Sequence, residues 1–135
     1  MKDQQKDRIL IVDDDLAMLK LLRRSLGDRY NVLVAPLGYD IETLIHHHEP
    51  DLLILDIGLP EESGRDLCRN LRQRRDFDGM AILLLSGLQE SEVAAAAIQA
   101  GADGYLTKPF DLPVLLSAIA HIIESKKASL QPVTA

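Results

Sequence analysis

Carboxylates gather at two points of this chain, and each group follows a short apolar run. Asp13, Asp14 and Asp15 come directly after Ile9-Leu10-Ile11-Val12, and Asp56 follows Leu52-Leu53-Ile54-Leu55. A hydroxyl and an ammonium stand in the same relation to two further runs. Ser86-Gly87 follows Met80-Ala81-Ile82-Leu83-Leu84-Leu85, and Lys108-Pro109-Phe110 follows Gly104-Tyr105-Leu106-Thr107. If these ends converge, at least three acids, one hydroxyl and one lysine share a small pocket. Carboxylates held close repel one another unless a cation intervenes. A hard divalent ion relieves that repulsion, and Mg²⁺ suits such a set because it keeps part of its water shell and accepts phosphate oxygens. One carboxylate is then left to act as a nucleophile on phosphorus. That chemistry asks mainly for positioning and charge neutralisation, which the ion and a lysine supply.

The elements that must carry these ends alternate along the chain. Apolar runs at Arg8–Val12, Asn31–Ala35, Asp51–Leu55, Met80–Leu85 and Gly104–Thr107 read as strands. Between them lie segments of helical spacing. Leu16, Leu19, Leu22 and Leu26 repeat on one helical face before Gly27, with Asp15 as N-cap. Helices are expected over Tyr39–His48, ended by Pro50, over Gly64–Arg74, over Gln89–Ala100 closed by Gly101, and over Leu112–Glu124 with Asp111 as N-cap and Pro113 in the first turn. Five strands alternating with five helices specify an α/β fold, a parallel sheet with helices on both faces. The first, third and fourth runs are almost wholly apolar, as strands covered on both faces must be. In such sheets ligands sit beyond the carboxyl ends of the strands, where the acids, the serine and the lysine stand.

Ile11-Val12-Asp13-Asp14-Asp15, Leu55-Asp56-Ile57-Gly58-Leu59-Pro60 with Gly64, Leu85-Ser86-Gly87, and Gly101-Ala102-Asp103-Gly104-Tyr105-Leu106-Thr107-Lys108-Pro109-Phe110 together resemble the response-regulator receiver domain. The resemblance runs from about Arg8 to Glu124. It implies a flavodoxin-like (βα)5 sandwich with strand order 2-1-3-4-5. It also implies that Asp56 accepts a phosphoryl group from a histidine kinase or a histidine phosphotransfer protein. Asp13 and Asp14 match the acidic pair that holds Mg²⁺, Asp14 more directly and Asp13 partly through water. Asp56 itself and the backbone carbonyl of Gly58 complete the implied metal set. Ser86 matches the switch hydroxyl, Lys108 the lysine that pairs with the phosphoryl group, and Tyr105 the aromatic that turns inward with the hydroxyl. A cis bond between Lys108 and Pro109 is implied as well, and proline makes it inexpensive. The face of the fourth helix, fifth strand and fifth helix is the one receivers use for a second copy or an output partner. The protein would thus be no enzyme beyond catalysing its own phosphorylation and dephosphorylation.

Departures from the family pattern are local. Gly58 stands where many receivers carry a larger side chain, at a position that tunes how long the acyl phosphate lasts. Ser86 replaces the commoner threonine, and Glu61-Glu62-Ser63 is more acidic than usual. Two other activities of similar architecture or chemistry fit poorly. A flavodoxin-type carrier needs a Ser/Thr/Gly-rich phosphate cradle after the first strand and aromatics beside the flavin. Here that position holds three aspartates, and the chain has no tryptophan. A haloacid-dehalogenase-like phosphatase places its nucleophile after the first strand and carries a large cap, for which 135 residues are too few. A degenerate receiver serving only for docking would not retain every site residue.

Composition bounds the remaining readings. With 15 basic and 21 acidic side chains the net charge is −6, and aromatics make up 4%. That balance argues against direct nucleic-acid binding and against a membrane-surface module. No apolar stretch approaches the ~18 residues that span a bilayer. A lone cysteine, Cys68, excludes an internal disulfide and suits a reducing compartment, so a cytoplasmic location is expected. Residues 1–7 and 125–135 read as flexible ends around a domain at 8–124. With no output domain read after Glu124, the chain is expected to be either a free-standing receiver or a domain of a longer regulator or hybrid kinase. His46-His47-His48 cannot share one helix face and reads as a solvated helix end. Arg65, Arg69, Arg72, Arg74 and Arg75 read as a charged outer face, and Cys68 as a small packing residue.

Overall fold

The computed structural model describes residues 6–36, 40–58 and 63–130. Its elements alternate in the expected order. Strands are β1 (Arg8–Val12), β2 (Asn31–Ala35), β3 (Leu52–Asp56), β4 (Ala81–Ser86) and β5 (Gly104–Thr107). Helices are α1 (Leu16–Leu26), α2 (Ile41–His48), α3 (Gly64–Arg72), α4 (Glu90–Ala100) and α5 (Leu112–Leu130). All strand pairs are parallel, in the order β2-β1-β3-β4-β5. This is the flavodoxin-like α/β fold. The strand order reverses between β1 and β3, and a crevice opens beyond their carboxyl ends.

Period-two alternation splits the strands between two cores. Leu10, Val12, Leu53, Leu55, Ile82 and Leu84 face the side covered by α2, α3 and α4. Ile9, Ile11, Leu52, Ile54, Leu83 and Leu85 face the side covered by α1 and α5. Side chains of the three central strands are buried on both faces, which explains their near-continuous hydrophobicity.

Local signals place the helices that frame the crevice. The Asp15 carboxylate accepts from Met18 N–H at 3.1 Å and caps α1. Ser63 caps α3 by accepting from Arg65 N–H. Gly64 lets α3 start close against the end of β3, because a Cβ there would lie 2.2 Å from the Asp56 carbonyl oxygen. Gly101 closes α4 at φ 80°, in the left-handed region that glycine adopts without strain.

Several boundaries differ from the sequence expectation. β3 is shifted by one residue to Leu52–Asp56, which brings Asp56 into the strand, and α4 begins at Glu90 instead of Gln89. The described part of α2 begins at Ile41, and Tyr39 lies outside the described residues. α3 ends at Arg72 and is followed by a 3-10 turn, Arg75–Phe77, which buries Phe77 beneath α2. β4 runs one residue further than expected, so Ser86 is still in the ladder, opposite Thr107. The largest difference is at the end of the chain. Residues 125–130, expected to fray, continue α5. No glycine or proline interrupts Ser125–Leu130, and two ion pairs hold the extension: Lys126 with Asp103 at 3.3 Å and Lys127 with Asp7 at 2.5 Å. Residues 131–135 and 1–5 lie outside the described residues, as do Glu61 and Glu62.

The contact at Gly64 is testable by unfolding in urea. Gly64→Ala is expected to cost about 1–3 kcal/mol through overpacking against backbone. Gly87→Ala, where an added Cβ meets nothing within 4 Å, is expected to stay within about 0.5 kcal/mol of the parent. Equal effects at the two positions would contradict the close approach.

Candidate functional site

Asp13 leaves the end of β1 and is fully buried. Its two carboxylate oxygens are both occupied. Oδ1 accepts from Asp15 N–H at 2.9 Å, and Oδ2 accepts from Lys108 Nζ at 2.8 Å. Asp56, the last residue of β3, is also buried. Its Oδ1 accepts from Gly58 N–H at 3.1 Å, and its Oδ2 lies 3.4 Å from Lys108 Nζ. Asp14 points into solvent, yet one oxygen from each of Asp13, Asp14 and Asp56 lies within 4.8 Å of the other two.

Lys108 reaches this cluster from the segment after β5. Its backbone N–H donates to the Ser86 carbonyl at 2.6 Å, and the following peptide bond to Pro109 is cis. Burial by itself pulls the Lys108 ammonium below its ordinary value of 10.5. The hydrogen bond and charge of Asp13, joined by Asp56, outweigh that and hold it above. The ammonium is therefore charged throughout the neutral range and bridges two acids from different strands.

The oxygen-only donor set is what a hard divalent cation takes, with water filling the remaining positions. Among the described residues it is the one grouping of acids, histidines and cysteine close enough to share an ion. Gly58 leaves this side of Asp56 open, although a Cβ there would sit at an ordinary 3.8 Å from Asp56 Oδ1. The arrangement therefore offers a carboxylate nucleophile, a place for a divalent ion and a fixed ammonium around one opening.

Ser86 is buried at the end of β4, and its hydroxyl oxygen accepts from Leu88 N–H at 2.9 Å. β4 is the neighbour of β3, with Leu85 opposite Asp56, so Ser86 stands one residue beyond the level of the acid. Tyr105 lies on the other side of this strand end. Its ring packs, half-buried, against the core under α4, and its hydroxyl donates to Glu90 Oε2 at 3.4 Å. The structure thus brings Asp13, Asp14, Asp56 and Lys108 together, places Ser86 on the adjoining strand end, and sets Tyr105 outside the acidic cluster.

Two positioning contacts were not legible beforehand. The Asp15 amide turns Asp13 toward the lysine, and the Glu90 carboxylate meets the tyrosine. Neither residue carries a periodic or motif signal for these contacts. Other candidates are structural, as expected. The His46 ring packs tilted against Phe77 at 5.3 Å between ring centres and faces Asp76 at 3.9 Å. The Cys68 thiol is buried and donates to the Ala100 carbonyl at 3.4 Å, and burial pushes its pKa up to about 11. It is not a reactive thiol at neutral pH.

Comparison with known proteins points the same way as this geometry. The family model of the response regulator receiver domain matches residues 9–120. The response regulator MprA of Mycobacterium avium (strain 104) is 39% identical over 121 residues, covering 89% of this chain and 52% of that protein. MprA of Mycobacterium leprae (strain TN) matches at the same identity and over the same length. The chain spans about half the length of these curated relatives. Among solved structures, a CheY-like receiver domain protein from Methanospirillum hungatei JF-1 superposes with a TM-score of 0.83 at 29% identity, covering 93% of this chain and 99% of that one. DrrB of Thermotoga maritima, an OmpR/PhoB homologue, gives a TM-score of 0.78 at 30% identity, covering 90% of this chain and 54% of that one.

The ion pair to Asp13 sets a pH dependence. A lysine whose folded-state pKa is raised contributes stability that is complete below its unfolded value and is lost as pH rises through the folded one. Lys108→Met should cost about 1–3 kcal/mol at pH 7 by leaving a buried carboxylate oxygen unpaired. The gap between parent and variant should then narrow above pH 10.5, the ordinary lysine value. Cys68 is common to both proteins and cancels in the difference. A gap that stays constant from pH 7 to 12 would show that the ammonium does not carry the stability.

Proposed function

The chain belongs to the response-regulator receiver family, and from that premise we propose that Asp56 is the phospho-accepting residue of a two-component or phosphorelay system. One observation carries the reading: the carboxylates of Asp13, Asp14 and Asp56 meet the Lys108 ammonium at the carboxyl ends of β1, β3 and β5. In the proposed transfer an Asp56 carboxylate oxygen forms the new bond to phosphorus. The bond from phosphorus to the imidazole nitrogen of a phosphohistidine breaks, and that nitrogen keeps the electron pair. The donor is a histidine kinase or a histidine phosphotransfer protein.

The chain's own groups divide the remaining work. Lys108 presents its ammonium to the phosphoryl oxygens and exchanges its 3.4 Å contact with Asp56 for them. The Gly58 amide holds Asp56 Oδ1 and so presets the carboxylate's orientation. Asp13, Asp14, Asp56 and the Gly58 carbonyl are the residues that would hold Mg²⁺. When bound, the ion would supply charge neutralisation for the transferring oxygens. Asp15, through its amide, keeps Asp13 turned toward this cluster. The protein acts on no separate substrate in this reading and catalyses only its own phosphorylation and dephosphorylation.

Ser86 and Tyr105 form the proposed switch. On phosphorylation the Ser86 hydroxyl turns to the new phosphoryl oxygens, and Tyr105 leaves Glu90 for the space vacated beside it. The surface that changes is α4, β5 and α5, which would receive a second copy of the chain or an output partner. The proposed setting is cytoplasmic, a reducing compartment that suits the lone, buried and unpaired Cys68.

The magnitude of the switch follows from the contacts already made. Shifting an equilibrium from 1:99 to 99:1 takes about 5.5 kcal/mol. A charged hydrogen bond contributes roughly 1.5–3 kcal/mol. Lys108 is already engaged by Asp13 and Asp56, so most of the driving force falls to Ser86 and the shift is incomplete. NMR spectra in Mg²⁺ and beryllofluoride should retain inactive-state signals at Tyr105, and their complete loss would contradict this expectation. The central proposal is tested by incubation with acetyl phosphate and Mg²⁺ followed by intact mass measurement. One added phosphoryl group that is lost in Asp56→Asn supports it. No adduct, under conditions that label another receiver, would overturn it.

A further inference from the structure

The two ends of α4 are held very differently. At its carboxyl end Arg72, from the last turn of α3, donates from Nε to the Gly101 carbonyl at 2.8 Å and from Nη1 to the Phe77 carbonyl at 3.1 Å. Its Nη2 donates to Asp103 Oδ2 at 2.6 Å. The same Asp103 oxygen accepts from Ile82 N–H at 2.8 Å, and Oδ1 lies 3.3 Å from Lys126 Nζ on α5. The Arg72 methylenes lie against Gly101 so closely that a Cβ there would be 3.0 Å from Cγ. Arg72 and Asp103 thus join α3, the 3-10 turn, the end of α4, the start of β4 and α5 in one knot. Both side chains are mostly buried, which makes charge-assisted contacts of this kind stronger than exposed ones.

The amino-terminal end has no such anchor. Gln89 occupies the cap position without a side-chain hydrogen bond, and the turn is closed only by backbone, with Glu92 N–H and Val93 N–H both donating to the Gln89 carbonyl, at 3.0 and 3.1 Å. Among the described residues, the one side-chain hydrogen bond joining this turn to β5 is the long contact between Tyr105 and Glu90. Between the ends, the buried face of α4 is Val93, Ala96, Ala97 and Ala100, short side chains of which only Val93 is larger than alanine. This turn follows Ser86 by only a few residues.

We infer that α4 is a lever whose pivot is the Arg72–Asp103 clasp at its carboxyl end and whose mobile end is the uncapped turn beside Ser86. The clasp itself is independent of phosphorylation. What drives the lever rests on the reading of Asp56 as phosphoacceptor. A pull on Ser86 then swings the first turns of α4 while Gly101 stays in place, so the change is graded along the helix.

Amide hydrogen exchange on the full chain tests this in two arms. Without ligand, Asp103→Asn and Arg72→Lys should each speed exchange at residues 97–102, because neither replacement rebuilds the charged fork. Acceleration spread evenly over the chain, or none at 97–102, would overturn the pivot. With Mg²⁺ and beryllofluoride, the parent should change exchange at residues 87–93 and not at 97–101. In Asp103→Asn the change should extend into 97–101. Equal change at both ends of α4 in the parent would overturn the lever. Fluorine NMR of bound beryllofluoride separates the two ideas: no bound signal refutes the phosphoacceptor reading, while the ligand-free arm still decides the pivot.

Discussion

A carboxylate with no access to solvent must have its charge answered inside the protein, and Asp13 is such a group. Burying an unpaired ion costs several kcal/mol, a large part of the net stability of a domain this size. Lys108 supplies the answer from 95 residues further along the chain. That pairing ties β1 to the segment after β5, reaching across β3 and β4 from one side of the switch point to the β5 edge. The Asp15 amide and the Lys108 ammonium together occupy both Asp13 oxygens. Asp56 is left with one oxygen on the Gly58 amide and the other at a looser 3.4 Å from the lysine. Asp56 is thus the less committed of the two acids, in keeping with the phosphoacceptor role proposed for it.

The fold makes this possible because every chemical group stands at the end of a strand. Parallel register fixes how far each end projects, and β3 and β4 are aligned so that Leu85 lies opposite Asp56. A strand slipped by one residue would turn both its core face and its terminal side chain the wrong way. The burial of Leu52 to Leu55 and of Ile82 to Leu85 on two faces therefore sets the position of Asp56 and Ser86 as firmly as any contact within the site. Gly64 adds to this by letting α3 start against the Asp56 carbonyl. The stiff sheet holds the acids, while the connections after β4 and before α4 carry few anchoring side chains. Rigidity and freedom are thus divided between neighbouring segments.

Much of this was legible in the residues alone. The apolar runs, the helical repeats and the punctuation at Gly27 and Gly101 marked nearly every element within a few residues. The acids, the serine and the lysine after those runs marked the crevice. Less legible was the end of the chain. Ser125–Leu130 has no clear apolar stripe, and its helix persists through ion pairs of Lys126 and Lys127 with residues remote in sequence. The 3-10 turn at Arg75–Phe77 was equally hidden, since burial of a single phenylalanine leaves no periodic trace.

Element type and order, and the kind of chemistry at the strand ends, were determined by the sequence. Both follow from spacing and residue type over a few positions. Which acid the lysine grips more closely, which amide orients which carboxylate, and which arginine among five clasps Asp103 were decided only by tertiary structure. Those choices depend on register and on side-chain geometry between segments tens of residues apart. Local pattern carries no information about either.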